Sequence, residues 1–244
     1  MKAAAGTDRG LVREINEDSY NLIAGDEGSP CAFIIADGMG GHSCGEIASR
    51  MAVDYISGVI TGDSARLLSA ENREDELRRL VLEANTMVYH QSLEQPETKG
   101  MGTTLTMALV EKEIVTAAHV GDSRLYLIRS GEIRQLTEDH SYIEEMVKKG
   151  SMTRKEAENH PRKNVITRAV GCSEELEVDT LSITMKLGDI LIFCTDGLTN
   201  MIGEDEIADT VQRNDPEAAC QLLIKAANRQ GGEDNITVIV IKCE

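Results

Sequence analysis

The feature that most constrains this chain is a set of short, β-branched runs that are apolar at nearly every position. Ala32-Phe33-Ile34-Ile35-Ala36, Leu191-Ile192-Phe193-Cys194 and Ile236-Thr237-Val238-Ile239-Val240-Ile241 do not alternate apolar with polar. A strand wetted on one face would alternate, so these strands need cover on both faces. The pattern predicts strands over 3–8, 19–24, 31–36, 103–110, 113–120, 124–129, 181–186, 190–194 and 236–242. Gly121-Asp122-Ser123 and Ser130-Gly131 punctuate hairpins between them.

Helical spacing supplies the cover. Residues 72–93 place Leu77, Leu80, Val81, Ala84, Met87 and Val88 on one face, with charges opposite. A second helix is expected over 45–60. A third begins at Asp215-Pro216-Glu217, an N-cap followed by proline at the first helical position, and stops at Gly231-Gly232. Strands and helices come in pairs and runs rather than strict alternation, which makes the fold class α+β with sheets covered by helices. No repeat, low-complexity tract or Pro/Ser linker interrupts the 244 residues, so one domain over 1–244 is expected.

Charge narrows the function. The chain carries 42 acids against 25 bases, a net charge of −17, which repels a nucleic-acid backbone. Aromatic residues are 3% and Trp is absent, which argues against base-stacking or sugar-stacking platforms. The six cysteines form no C-x-x-C pair and read as reduced, small hydrophobes. The N-terminus has no signal-like apolar run, and no stretch approaches a membrane span, so a soluble, cytoplasmic protein is expected. Residues 148–168 stand apart, with seven bases and two acids, and read as two short helices and a loop. A solvated surface flap and a substrate-contacting one both fit that composition.

Four apolar runs end in, or begin from, an aspartate beside glycine or a small polar residue: Asp37-Gly38, Gly121-Asp122-Ser123, Asp196-Gly197 and Asp234-Asn235. Glu17-Asp18 adds a fifth acidic spot before a short strand. Each alone reads as a turn. If the strand ends converge, the carboxylates repel one another unless they take up protons or cations. The donor set is all oxygen, which selects Mg²⁺ or Mn²⁺ over Zn²⁺. A glycine beside such a ligand lets its own carbonyl approach the ion. Arg13, four and five residues before Glu17 and Asp18, reads equally as an exposed base on an edge strand or as a fork for two phosphate oxygens.

Val12-Arg13, Asn16-Glu17-Asp18-Ser19, Asp37-Gly38-Met39-Gly40-Gly41-His42, Met101-Gly102-Thr103-Thr104, Val120-Gly121-Asp122-Ser123-Arg124, Asp139-His140-Ser141, Asp196-Gly197-Leu198 and Gly231-Gly232 with Asp234-Asn235 follow in this order along the chain. Together they resemble the motifs of protein phosphatase 2C, the PPM family, in its compact bacterial form. The resemblance implies a four-layer α-β-β-α sandwich: two antiparallel sheets flanked by helices, with the metal site at one end. It implies two or three Mn²⁺ or Mg²⁺ ions. Asp37 would bridge two of them and Gly38 would offer its carbonyl. Asp196 and Asp234 would complete the first shell, and Asp122 with Asp196 would serve a third ion. Glu17 and Asp18 would hold metal-bound waters, and Arg13 the phosphate. The implied activity is hydrolysis of phosphoserine and phosphothreonine in proteins by a metal-bridging hydroxide, reversing Ser/Thr kinase signalling. The implied partners are phosphorylated proteins, a cognate kinase among them, with a monomeric state and neither nucleic acid nor membrane. A flap subdomain, tied to substrate choice in the family, would span about 141–170. Some family members place a histidine directly after Asp-Gly as a proposed general acid; here Met39 stands there, and the acid is unassigned.

Two rivals share these residues. Cys44-Gly45-Glu46-Ile47-Ala48-Ser49-Arg50 matches the C-x₅-R loop of cysteine phosphatases, but Glu46 would put a carboxylate inside the phosphate cradle. The spacing of Ile47, Met51, Ala52, Tyr55 and Ile56 reads as helix instead, with Cys44 at its start. A catalytically silent phosphoprotein-binding module would be expected to lack a bridging carboxylate or the arginine, and all are present. His90 and His119 read as structural. His140 and His160 flank the basic segment as candidate hinges.

Overall fold

The computed structural model describes residues 1–25, 31–40, 44–62, 72–94, 96–157 and 160–244. In chain order the elements are β1 (Lys2–Asp8), β2 (Asp18–Ile23), β3 (Cys31–Met39), α1 (Gly45–Gly62), α2 (Arg73–Glu94), β4 (Gly102–Thr103), β5 (Leu105–Glu111), β6 (Ile114–Val120), β7 (Arg124–Arg129), β8 (Glu132–Gln135), α3 (Tyr142–Lys148), α4 (Arg154–Ala157), β9 (Asp179–Thr184), β10 (Ile190–Cys194), α5 (Asp196–Thr199), α6 (Glu204–Arg213), α7 (Pro216–Arg229) and β11 (Ile236–Lys242). They build two antiparallel sheets. One runs β1-β11-β10-β7-β8, the other β2-β3-β5-β6-β9, with β4 attached to β3.

The continuous apolar strands now have their reason. Along β3, Ala32, Ile34 and Ala36 pack outward under α1 and α2, while Phe33 and Ile35 point into the space between the sheets. Along β10, Ile192 and Cys194 pack under α6 and α7, while Leu191 and Phe193 point inward. The period of two sends alternate residues to different cores, and neither core is water. The chain's two phenylalanines, Phe33 and Phe193, meet across the sheets with ring centroids 6.4 Å apart. The layers are helix, sheet, sheet, helix.

Local sequence chemistry sets the helix ends. The Asp215 carboxylate accepts from Ala218 N at 3.0 Å and caps α7, with Pro216 in its first turn. The helix ends at Arg229, and Gly231 and Gly232 follow with positive φ. Several boundaries differ from the sequence reading. β9 starts two residues earlier than expected. Residues 103–110 divide into β4 and β5. The first helix of the basic region, α3, lies N-terminal to most of the bases. The sequence reading did not foresee β8 or α6. β8 is a polar edge strand, and α6 buries only Ile207, Ala208 and Val211 in an acidic stretch.

The sheet order places the site. The chain passes between the sheets through the loop 9–17 and through the β6–β7 turn at 121–123. In register, Asp18 sits opposite Asp37, Asp8 opposite Ile236, and Cys194 opposite both Arg124 and Val238. The start of β2, the end of β3, the end of β10 and the start of β11 therefore share one end of the sandwich.

Candidate metal centre

Each expected aspartate arrives at that end from a different element. Asp37 closes the buried part of β3. Asp18 faces it across the β2–β3 ladder, a like-charge pair that destabilises an antiparallel sheet unless something compensates. Asp196 opens α5 after β10, Asp234 precedes β11, and Asp122 lies in the β6–β7 turn after Gly121, whose φ is +109°.

Their backbones are pinned. Asp37 N donates to Thr104 Oγ1 at 2.8 Å, and Asp37 O accepts from Thr104 N at 2.8 Å and Thr103 Oγ1 at 2.9 Å. Gly38 N donates to Glu17 O at 3.1 Å. A Cβ on Gly38 would overlap the backbone oxygens of Gly45 and Glu17, so only glycine allows the end of β3, the start of α1 and Glu17 to meet. Asp18 Oδ2 accepts from Thr237 Oγ1 at 2.6 Å and Thr195 Oγ1 at 3.0 Å. Asn200 Nδ2 donates to Asp196 Oδ2 at 3.0 Å.

Electrostatics report the convergence. Burial pushes the Asp18 carboxyl up to about 7, with Asp196 and Asp234 adding to the rise against the two threonine hydrogen bonds. Burial raises Asp122 to about 8, with Asp196 the next cause. Burial and Asp234 raise Asp196 to about 6. Asp37 lies well above the ordinary carboxylate range, from burial and then from Asp18, Asp196, Asp122 and Asp234 in turn. Burial also raises Glu17. This cluster carries more negative charge than it can solvate.

The donor set fits a hard cation. All candidate ligands are oxygen, and Asp18 Oδ1 is buried without a hydrogen-bond partner. Among the described residues no three His, Cys, Asp or Glu side chains are drawn together tightly enough to hold an ion as they lie. Arg13 Nη2 lies 2.6 Å from Asp234 Oδ2, with Nη1 3.9 Å from Glu17 Oε2. Arg13 thus reaches the cluster from a loop, not from an edge strand.

Sequence reasoning missed the supporting residues. Thr195 and Thr237 hold Asp18, Asn200 holds Asp196, and Asn235 ties the loop 9–17 to β11. Asn235 Nδ2 donates to Arg9 O and Ile15 O, both at 2.9 Å, and its Oδ1 accepts from Glu17 N at 2.8 Å. Thr195 and Asn235 stand directly beside Asp196 and Asp234, which is a local signal; Thr237 and Asn200 carry none. Arg124 grips Asp139 with Nε and Nη2, the latter at 2.6 Å, beneath the Asp122 turn.

The other candidates sort clearly. Cys44 is buried just before α1, its Sγ donates to Glu97 O at 2.9 Å, and burial raises its thiol, so no cysteine nucleophile forms. His119 is bonded to Thr106 Oγ1 at 2.8 Å and Glu138 O at 3.0 Å, as a structural residue would be. His140 Nδ1 accepts from Gly121 N at 3.1 Å. His90 is exposed on α2, and Gly41 and His42 lie outside the described residues. Of the seven bases over 148–168, Lys148, Lys149, Arg154 and Arg168 pair with Glu138, Glu145, Glu144 and Asp179, so acids around them offset much of the basic island.

Known proteins share this fold. The protein phosphatase 2C family profile matches residues 6–229. The chain belongs to the protein phosphatase 2C family. It is 41% identical to the serine/threonine phosphatase stp of Listeria welshimeri over 243 residues, 99% of this chain and 96% of that protein. It is 40% identical to protein phosphatase PhpP of Streptococcus pneumoniae, covering 99% and 97% of the two chains. The crystal structure of the Mycobacterium tuberculosis serine/threonine phosphatase PstP superposes with a TM-score of 0.85 at 36% identity, covering 100% of this chain and 98% of that one. The PstP catalytic domain in complex with two manganese ions gives 0.84 at 33% identity, covering 98% and 96%. These solved 2C-family structures carry the same four-layer sandwich that the motif pattern implied.

Proposed function

We propose that this chain hydrolyses phosphoserine and phosphothreonine in proteins in one step at the carboxylate cluster. The observation that carries the reading is the arrival of Asp37, Asp122, Asp196 and Asp234 from separate elements at one end of the sandwich, with Arg13 resting on Asp234. Full-length similarity to named serine/threonine phosphatases supports the same reaction class.

Asp37, Asp196 and Asp234, with the Gly38 carbonyl, are the residues that would hold two ions. Asp122 with Asp196 would hold a third, and Glu17 and Asp18 the surrounding waters. Manganese is supported by the manganese complex of PstP; magnesium suits the same oxygen set. When bound, the ions supply Lewis-acid activation of water and neutralise phosphoryl charge. The chain's own residues do the rest. Arg13 spends one guanidinium nitrogen on Asp234 and keeps others to fork onto a phosphate. Thr195 and Thr237 fix one Asp18 oxygen and leave the other free to accept from water. Thr103 and Thr104 hold the Asp37 backbone still.

We read residues 1–244 as one phosphatase domain with a flap over 141–170, acting as a monomer in the cytoplasm on phosphoproteins that include a cognate kinase. Among the described residues no helix is long and apolar enough to cross a membrane. Mn²⁺-dependent hydrolysis of a phosphothreonine peptide tests the function. Turnover should vanish with a chelator and survive alkylation of Cys44. The opposite pattern would restore the cysteine-phosphatase reading, and binding without turnover would make the chain a silent module.

A further inference from the structure

We propose that Leu11, Val12 and Ile15 form an apolar lip that docks the substrate polypeptide beside its phosphorylated residue and favours an apolar side chain there. The proposal deepens the functional reading above and rests on it.

These three side chains are 67%, 65% and 40% exposed, and they fall within five consecutive residues. Scattered apolar residues on a surface need no explanation, but three exposed within five residues of one braced loop do. The loop is not loose. Leu11 N and Val12 N donate to Gly232 O at 2.8 and 3.3 Å. Asn235 grips Arg9 O, Ile15 O and Glu17 N, and Asn16 Nδ2 donates to Thr7 Oγ1 at 2.8 Å. Gly10, with φ +78°, lies so close to the backbone of Gly232 and Asp234 that a Cβ would overlap both. The bracing holds these apolar side chains out in water, although the chain has large cores to receive them.

The position names the occupant. Arg13 stands between Val12 and Ile15 and ends on Asp234, so lip and cluster share one loop. A phosphoserine or phosphothreonine side chain is only a few bonds long. A polypeptide that brings its phosphate to the cluster must therefore rest its neighbouring residues on the rim. On this part of the rim they meet apolar surface already fixed in place, which binds with little loss of conformational entropy. The net charge of −17 disfavours acidic neighbours and leaves apolar ones unaffected.

The test uses phosphothreonine peptides that differ only in carrying Leu or Ser on both sides of the phosphorylated residue, assayed with Mn²⁺ on wild type and on the double variant L11S/V12S. Para-nitrophenyl phosphate serves as a substrate with no flanks. Wild type should favour the Leu peptide by about tenfold in kcat/KM, mostly through KM, the effect of partly burying one Leu side chain. In the variant the preference should shrink to about twofold or less. Equal use of both peptides by wild type would overturn the proposal, as would a preference that survives in the variant. A change from dimer to monomer in sedimentation on making L11S/V12S would assign the lip to a second copy of the chain and overturn it too. Hydrolysis of para-nitrophenyl phosphate but of neither peptide would overturn the protein-phosphatase reading itself, and this proposal with it.

Discussion

The loop 9–17 carries no helix or strand, the segment 141–168 carries the short helices α3 and α4, and the two are held by opposite means. The loop is tied down by backbone hydrogen bonds to Asn235 and Gly232 and shows apolar side chains to solvent. The 141–168 segment is held at its base by Tyr142 N to Val165 O and Thr167 N to His140 O, both 2.8 Å; beyond its own short helices and turns, it is tied mainly by ion pairs between exposed or half-buried side chains, Lys149 with Glu145 and Arg154 with Glu144. Exposed ion pairs contribute little, about 0–1 kcal/mol each, and are weakened by salt. Buried, fully used amide groups contribute more and leave an unsatisfied partner when removed. The loop is therefore built for precision, which a phosphate-binding Arg13 needs. The other segment is built to shift at small cost.

Among changes that test this contrast, the largest effect comes from unhooking the loop. Asn235→Ala removes three hydrogen bonds at a buried position and should cost about 2–4 kcal/mol in urea unfolding. Its kcat/KM should fall about 100-fold, because Arg13 and Glu17 both lose their anchor. Loss of stability without loss of activity would show that the loop need not be fixed.

Arg13→Ala comes next and should mainly raise KM, by about tenfold, as expected for a lost charge-assisted contact. A change confined to kcat would show that Arg13 acts on the transition state alone.

Between the two regions sits the cluster, and its proton affinity makes a third prediction. Asp196, Asp18 and Asp122 are raised to about 6, 7 and 8, so the folded chain holds protons that the unfolded chain releases near pH 4. Without metal, stability should therefore fall as pH rises from about 4 to about 8. Thermal unfolding in EDTA should give a lower Tm at pH 8 than at pH 5, and added Mn²⁺ should reverse the order. A flat profile would mean that the carboxylates do not share one space.

The smallest effect belongs to the ion-paired segment. Glu144→Gln releases Arg154 and should cost under about 1 kcal/mol, with catalytic rates changing about twofold or less. A large loss would contradict the contrast drawn between the two regions.

How much of this was legible beforehand follows the same physics. The strands were readable because Ala32–Ala36, Leu191–Cys194 and Ile236–Ile241 are apolar on both faces, which only a doubly covered sheet requires. α6 was not, since Ile207, Ala208 and Val211 are too few to set a period among its acids. The cluster was readable because each aspartate follows or precedes an apolar run and donates only oxygen. Thr195, Thr237 and Asn235 were hidden, because Thr is common in strands and Asn in turns. Their roles depend on the register between strands far apart in sequence, Asp18 opposite Asp37 and Cys194 opposite Val238. The lip was hidden for a related reason: nothing local to Leu11 and Val12 says that the backbone of residues 232–235 will hold them out.

The central claim is that the converging carboxylates hold the cations of a hydrolytic site, and Asp37 is its keystone. The direct measurement is Mn²⁺-dependent hydrolysis of a phosphothreonine peptide by Asp37→Asn, alongside its circular dichroism and its Mn²⁺ binding by titration calorimetry. The account predicts a folded protein with weakened Mn²⁺ binding and nearly all turnover lost. A folded Asp37→Asn protein that turns over at close to the wild-type rate would contradict it.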